Sequence, residues 1–250
     1  MGQTTITLNC DMGESYGAWK MGSDEKVMPY INMANIACGF HASDPEIMSQ
    51  TIDLALKHHV KIGAHPSYPD IAGFGRRSMV FEPQQLSNLL IYQIGAIKAL
   101  CESKNSELKY VKPHGALYND MQTDHRIFEA VIDAVSCFRV PLMTLASQQD
   151  DEKLEIADRF DVPLLFEAFI DRAYLANGLL APRTIEGSVL THRDDILSQL
   201  KQIVDYQRVT TLDGFIIPIE ADTICVHGDN DDSIQLIQEI STFLKGKSNR

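Results

Sequence analysis

The sequence has no cysteine pairing pattern: Cys10, Cys38, Cys101, Cys137 and Cys225 are odd in number and none stands in CxxC spacing. This excludes a disulfide framework and a thiolate zinc site, and leaves most of the five as small buried residues. Basic residues are scarce, 22 Lys and Arg against 34 Asp and Glu, for a formal net charge of -12 and a pI near 5.0. Nucleic acid and anionic membrane surfaces are therefore not expected partners, since both are bound through clustered Lys and Arg. No apolar run is long enough to span a bilayer. Met1-Gly2-Gln3-Thr4-Thr5 passes into a strand-like run without the segments of a signal peptide, so a cytoplasmic location is expected. A complete phosphate loop is missing as well. Gly246-Lys247-Ser248 matches its tail, but Ser241 occupies the first glycine position and only Asn249 and Arg250 follow. A Walker-type ATP site of the chain's own is not expected.

What is present is strand-helix alternation. At 250 residues and 44% hydrophobic content the chain suits one α/β domain spanning 1–250. Seven short β-prone runs, at 5–8, 34–37, 60–64, 108–111, 140–145, 162–166 and 223–226, are separated mostly by segments with helical periodicity, such as Ile47, Met48, Thr51, Ile52 and Ala55. Asp44-Pro45-Glu46 offers a helix cap with Pro at the first turn, and Thr123-Asp124 and Asp231-Asp232 place acids at helix starts. Residues 209–219, around Asp213-Gly214, read as a hairpin inserted before the last strand.

Each run but one ends in chemistry: Asn9-Cys10-Asp11-Met12-Gly13-Glu14, Cys38-Gly39-Phe40-His41, Gly63-Ala64-His65-Pro66, Lys112-Pro113-His114-Gly115, Glu167 with Asp171-Arg172, and His227-Gly228-Asp229. In parallel barrels all strand C-termini open onto one face, whereas an open sheet concentrates its ligands at a switch point. An irregular seven-stranded TIM-like β/α barrel is therefore the expected fold. Side chains alternate along a strand, so Asn9 and Asp11, Gly63 and His65, Lys112 and His114, and His227 and Asp229 should pair on inward faces. Any one of His41, His65, His114 and His227 alone is more simply a hydrogen-bonded core residue; four of them, each beside Gly or near Pro, point to a shared site. Asp11 is the leading general base or orienting carboxylate. Glu14 could equally cap the next helix. Gly73-Phe74-Gly75-Arg76-Arg77 suits gripping a carboxylate or phosphate, or is simply a charged turn. His58-His59, His125 and His192 fall at helix ends, where surface roles suffice.

Two rival chemistries remain open. Gly13-Glu14-Ser15-Tyr16-Gly17 satisfies G-x-S-x-G, with Asp171 and His227 following in hydrolase order, but the motif opens the chain, whereas such an elbow follows several strands. Asp11, His41 and His65 could instead hold a divalent metal with an open water position, although no HExxH spacing supports it.

These segments closely resemble the LamB/YcsF family, the A subunits of bacterial 5-oxoprolinase. The matching stretches are LNCDMGESYG at 8–17, NIACGFHASDP at 35–45, IGAHPSYPDIAGFGRR at 62–77, YQIGA at 92–96, VKPHGALYN at 111–119, EAFIDRAYLANGLLAPR at 167–183 and CVHGD at 225–229. Ser43 stands where the family usually has Gly, and Asp231-Asp232-Ser233 replaces its usual Asn-Pro continuation. The resemblance implies a barrel of the glycoside hydrolase/deacetylase type. It also implies ATP-dependent opening of 5-oxoproline to L-glutamate with partner subunits B and C, ATP being consumed and bound together with those partners. On that expectation Asp11 orients water with help from His41 or His65, while His114 and His227 donate protons or hydrogen bonds. Arg76, Arg77 and Lys112 hold the substrate carboxylate or phosphate, and Asn9, Glu14, Glu167, Arg172 and Asp229 complete the substrate site. Two alternatives stay beside it: a metal-dependent amidase or deacetylase, and a non-catalytic lactam-binding component.

Overall fold

The computed structural model describes residues 6–147, 150–228 and 231–248. Among them, seven parallel strands close into a barrel: β1 (Thr7–Met12), β2 (Met33–Ala37), β3 (Lys61–His65), β4 (Tyr110–Val111), β5 (Leu142–Leu145), β6 (Leu164–Phe169) and, completing the ring between β6 and β1, β9 (Thr223–Val226). All seven expected runs are barrel strands. The two strands that precede β9 in the chain, β7 (Arg208–Thr210) and β8 (Ile216–Pro218), pair antiparallel outside the barrel with Val209 opposite Ile217, which is the expected hairpin. Helices α1 (Asp24–Val27), α2 (Pro45–Lys57), α3 (Pro83–Ser103), α4 (Gly115–Thr123), α5 (His125–Ser136), α6 (Asp150–Arg159), α7 (Arg193–Tyr206) and α8 (Asp231–Ser248) fill the connections. None is long and apolar enough to cross a membrane.

Local chemistry sets the helix starts. The Asp44 carboxylate accepts from the backbone N–H groups of Glu46 and Ile47 at 2.9 and 3.0 Å, with Pro45 in the first turn, so α2 begins where the sequence marks it; such a cap stabilises by about 1 kcal/mol. Asp124 caps α5 through Arg126 N–H in the same way. The helices bury Met48, Ile52, Ile94, Ile97, Val131 and Ile132 against the outward strand residues Leu8, Ile36, Ile62 and Ala64. Each such side chain contributes roughly 1.5–3 kcal/mol by leaving water. The five cysteines are all free, and only Cys137 is exposed among them.

The barrel interior is layered. Near the N-terminal ends of the strands, Met33, Tyr110 and Met143, with Leu165 against them, form a small apolar plug separate from the outer core. Gly63 makes room for it: a Cβ there would stand 2.2 Å from the Tyr110 ring. Above the plug the lining turns polar, and the Tyr110 hydroxyl marks the boundary by donating to Asn35 Oδ1 at 2.6 Å. The first strand runs on to Met12, beyond the expected residue 8, because Asn9 and Asp11 are polar residues of a strand whose inner face lies in this polar layer.

Candidate active site

At the C-terminal mouth lies a cleft of about 1790 Å³ whose lining includes Asp11, Glu14, His65, Arg76, His114 and His227. Asp11, at the end of β1, is the hub. Its Oδ1 accepts from Asn35 Nδ2 at 2.7 Å and from the Lys112 ammonium at 3.1 Å, while its Oδ2 lies 3.3 Å from His65 Nε2 and 4.0 Å from His227 Nε2. Burial pushes the Asp11 carboxyl up, but His65 and Lys112 beside it prevail and hold it well below the usual carboxylate range.

Three imidazoles sit above the hub. His41 and His114 stack face to face, centroids 3.8 Å apart and 5° from parallel, and His65 meets His114 edge-on at 86°. Carbonyl groups fix two of the rings, because a carbonyl only accepts. His65 Nδ1–H donates to Lys112 O at 2.6 Å and His114 Nε2–H donates to Phe74 O at 3.0 Å. Gly75, at φ +62°, brings the 73–77 loop against this stack; a Cβ there would come within 2.8 Å of His41 Cβ. Burial, with the neighbouring imidazoles, pushes His41 and His114 well below the ordinary histidine range, so both are neutral. Glu14 Oε1 lies 3.3 Å from His41 Nε2 and 3.4 Å from His114 Nδ1, and burial together with Asp11 raises its carboxyl. Two nearby carboxyls are thus driven in opposite directions, the pattern of an acid and a base placed for different tasks.

His227 Nδ1 is held by Asp171 Oδ2 at 2.9 Å, which turns Nε2 toward Asp11. Burial alone would lower this imidazole, yet it stands well above the ordinary range. We attribute the rise to Asp171, because burial pushes the neighbouring Cys225 thiol up to about 11 and leaves it uncharged.

The remaining expected residues divide. Asn9 and Glu167 are fully buried beneath the cleft: Asn9 Oδ1 accepts from Asn35 and Lys112, and Glu167 accepts from Tyr118 Oη at 2.9 Å and pairs with Lys112 at 2.7 Å. Lys112 is itself buried and divided among Asp11, Asn9, Glu167 and Cys225, so its charge serves the interior of the barrel. Arg77 turns outward and closes its own loop on Asp70. Arg172 borders the cleft, but its guanidinium donates to Ala181 O and Ser188 O, fastening the 173–190 excursion. Arg76 and Arg183 also line the cleft, and Arg183 was not singled out from sequence. Asp229 lies outside the described residues. Ser15 Oγ is engaged with Met21 N–H at 2.9 Å in an exposed loop, and no strand-to-helix elbow forms there. Asn35 and Tyr118 are partners that the candidate residues require and that the sequence did not mark, while Asp171 was paired with His227 only in the hydrolase reading. Asn35 carried a signal, a polar residue inside an apolar strand.

The model of the LamB/YcsF family matches residues 6–250. The A subunit of a 5-oxoprolinase from Vibrio cholerae is 65% identical over 98% of this chain and 99% of its own, and a 5-oxoprolinase A subunit of Pseudomonas aeruginosa, numbered 3 in that organism, is 48% identical over 96% of each. The crystal structure of a lactam utilization protein from Thermus thermophilus superposes with a TM-score of 0.89 at 36% identity, covering 97% of both chains. With a matched model over nearly its whole length and relatives of this similarity, the chain belongs to the LamB/YcsF family.

Proposed function

We propose that this chain is the hydrolytic component of an ATP-dependent 5-oxoprolinase, opening 5-oxoproline to L-glutamate together with partner subunits B and C. One observation carries the reading: an ionised carboxylate, Asp11, stands at the floor of a wide cleft between two imidazoles, with Arg76 and Arg183 available to an anionic substrate. The relatives' designation as A subunits of a 5-oxoprolinase supplies the substrate class and the need for other subunits.

A five-membered lactam is a resonance-stabilised amide with little ring strain, so its opening needs activation. Transfer of the ATP γ-phosphoryl group to the lactam oxygen, a step assigned to the partners, gives an electrophilic carbon. Asp11 takes a proton from a water that adds there, and the C–N bond then breaks as His227, charged and oriented by Asp171, gives its proton to the departing nitrogen. The product is an acyl phosphate, which a second water hydrolyses to glutamate and phosphate. Glu14, whose carboxyl burial raises, faces the same space and can donate to the developing oxyanion.

The test is reconstitution. The purified chain is mixed with candidate B and C subunits, ATP and 5-oxoproline, and glutamate is measured with each component omitted in turn. Glutamate formation that requires every component is expected. Equal turnover by B and C without this chain would end the proposal.

A further inference from the structure

We propose that Asp11, Glu14, His65 and His114 form a binding site for one first-row transition-metal dication. The reasoning begins with the two carbonyl-locked rings. His65 Nδ1–H donates to Lys112 O and His114 Nε2–H donates to Phe74 O, so His65 Nε2 and His114 Nδ1 are the ring atoms left to face each other across 2.9 Å. A carboxylate oxygen stands beside each ring, Asp11 Oδ2 at 3.3 Å from His65 Nε2 and Glu14 Oε1 at 3.4 Å from His114 Nδ1, and the donor atoms of Glu14, His65 and His114 lie within 4.8 Å of one another. Ring nitrogens and carboxylate oxygens facing one another at these distances suit a shared cation.

The spacing fits a metal. Metal–ligand bonds of about 2.0–2.2 Å set roughly 90–109° apart hold their donors about 2.8–3.6 Å from one another, and the separations of 2.9, 3.3 and 3.4 Å fall within that range. Three of the donors also have the outer partner that metal ligands require: a carbonyl behind each imidazole, and Asn35 and Lys112 on the other oxygen of Asp11. Two imidazole nitrogens and two carboxylate oxygens favour Zn²⁺, Mn²⁺ or Co²⁺ over Mg²⁺ or Ca²⁺.

His41 lies within reach of Glu14, His65 and His114, but we place it outside the ligand set. It lies flat on His114, and a cation in the plane of one ring would sit well off the plane of the other. His65 and His114, nearly perpendicular, can share one in-plane ion. His41 instead orients Glu14. The site shares Asp11 and Glu14 with the ring-opening reading, but its test reads binding and not turnover.

The chain, stripped by chelator and dialysed, is titrated with Co²⁺ while visible absorption and heat are recorded. One saturable site per chain is expected. His65→Ala and His114→Ala should abolish its absorption bands, and His41→Asn should leave them in place at one ion per chain. Should the histidine variants fail to fold by circular dichroism, Glu14→Gln and Asp11→Asn, which keep side-chain size, are each expected to weaken binding by about tenfold or more. Absence of saturable binding, binding indifferent to Glu14→Gln and Asp11→Asn, or bands lost with His41→Asn but kept with His114→Ala would each overturn the assignment.

Discussion

Lys112→Met removes the ammonium at the centre of the barrel and should be among the most damaging single changes to the barrel interior. Lys112 is 3% exposed and stands 2.7 Å from Glu167 and 3.1 Å from Asp11, whose own side chains are 0% and 16% exposed. Burial works against the ammonium, but Asp11, Cys225 and Glu167 around it raise its proton affinity well above the ordinary lysine range. Methionine fills the same volume without the charge. Two carboxylates are then left in a site with little access to water, and breaking a buried pair in this way costs about 3–5 kcal/mol. For a chain of this size that corresponds to a fall in melting temperature of roughly 6–20 °C. The measurement is urea unfolding followed by circular dichroism on wild type, Lys112→Met, Glu167→Gln and the double variant. If the pair is the cause, the double variant loses less than the sum of the singles, with a coupling of about 1–3 kcal/mol. A Lys112→Met loss below about 1 kcal/mol, or strict additivity, would refute the account of the barrel interior as a charge-matched core.

Three further outcomes follow from the same geometry. Asp171→Asn should lower turnover of the reconstituted complex about 10- to 100-fold without weakening complex assembly, because the charge-assisted bond orienting His227 is worth roughly 1.5–3 kcal/mol; steady-state kinetics with co-sedimentation checks it. Gly63→Ala places a methyl 2.2 Å from the Tyr110 ring and should destabilise by about 1–3 kcal/mol through overpacking, read from the urea midpoint. Ser43 is buried at φ +72°, a left-handed conformation that costs a side-chain-bearing residue about 1–2 kcal/mol. Ser43→Gly, which removes that cost, should therefore raise the melting temperature by about 2–8 °C in a calorimetric scan.

The barrel was legible because its strands are buried on both sides and so read as short apolar runs, and because their ends carry the dense clusters of His, Asp and Glu. Strand ends were less legible. Asn9 and Asp11 look like the start of a loop, since a polar residue normally ends a buried strand, but here the inner face lies in a polar layer. The four-residue α1 was too short to show a period. At the site, side-chain alternation pointed Asp11 and His65 inward, but not which partners would absorb their neighbours. Lys112 looked free to grip substrate, and only the closed ring brings Glu167, from a strand two places further round, against its ammonium. Tyr118 was hidden for the same reason, its importance lying in a contact 49 residues away along the chain.

The most direct test of the central claim, that Asp11 is the base of a hydrolytic site, is glutamate formation by Asp11→Asn in the reconstituted complex, with assembly and folding measured on the same sample. The account predicts an intact complex whose turnover falls by about 100-fold or more, the scale of a lost general base. Near-normal turnover with folding preserved would contradict it.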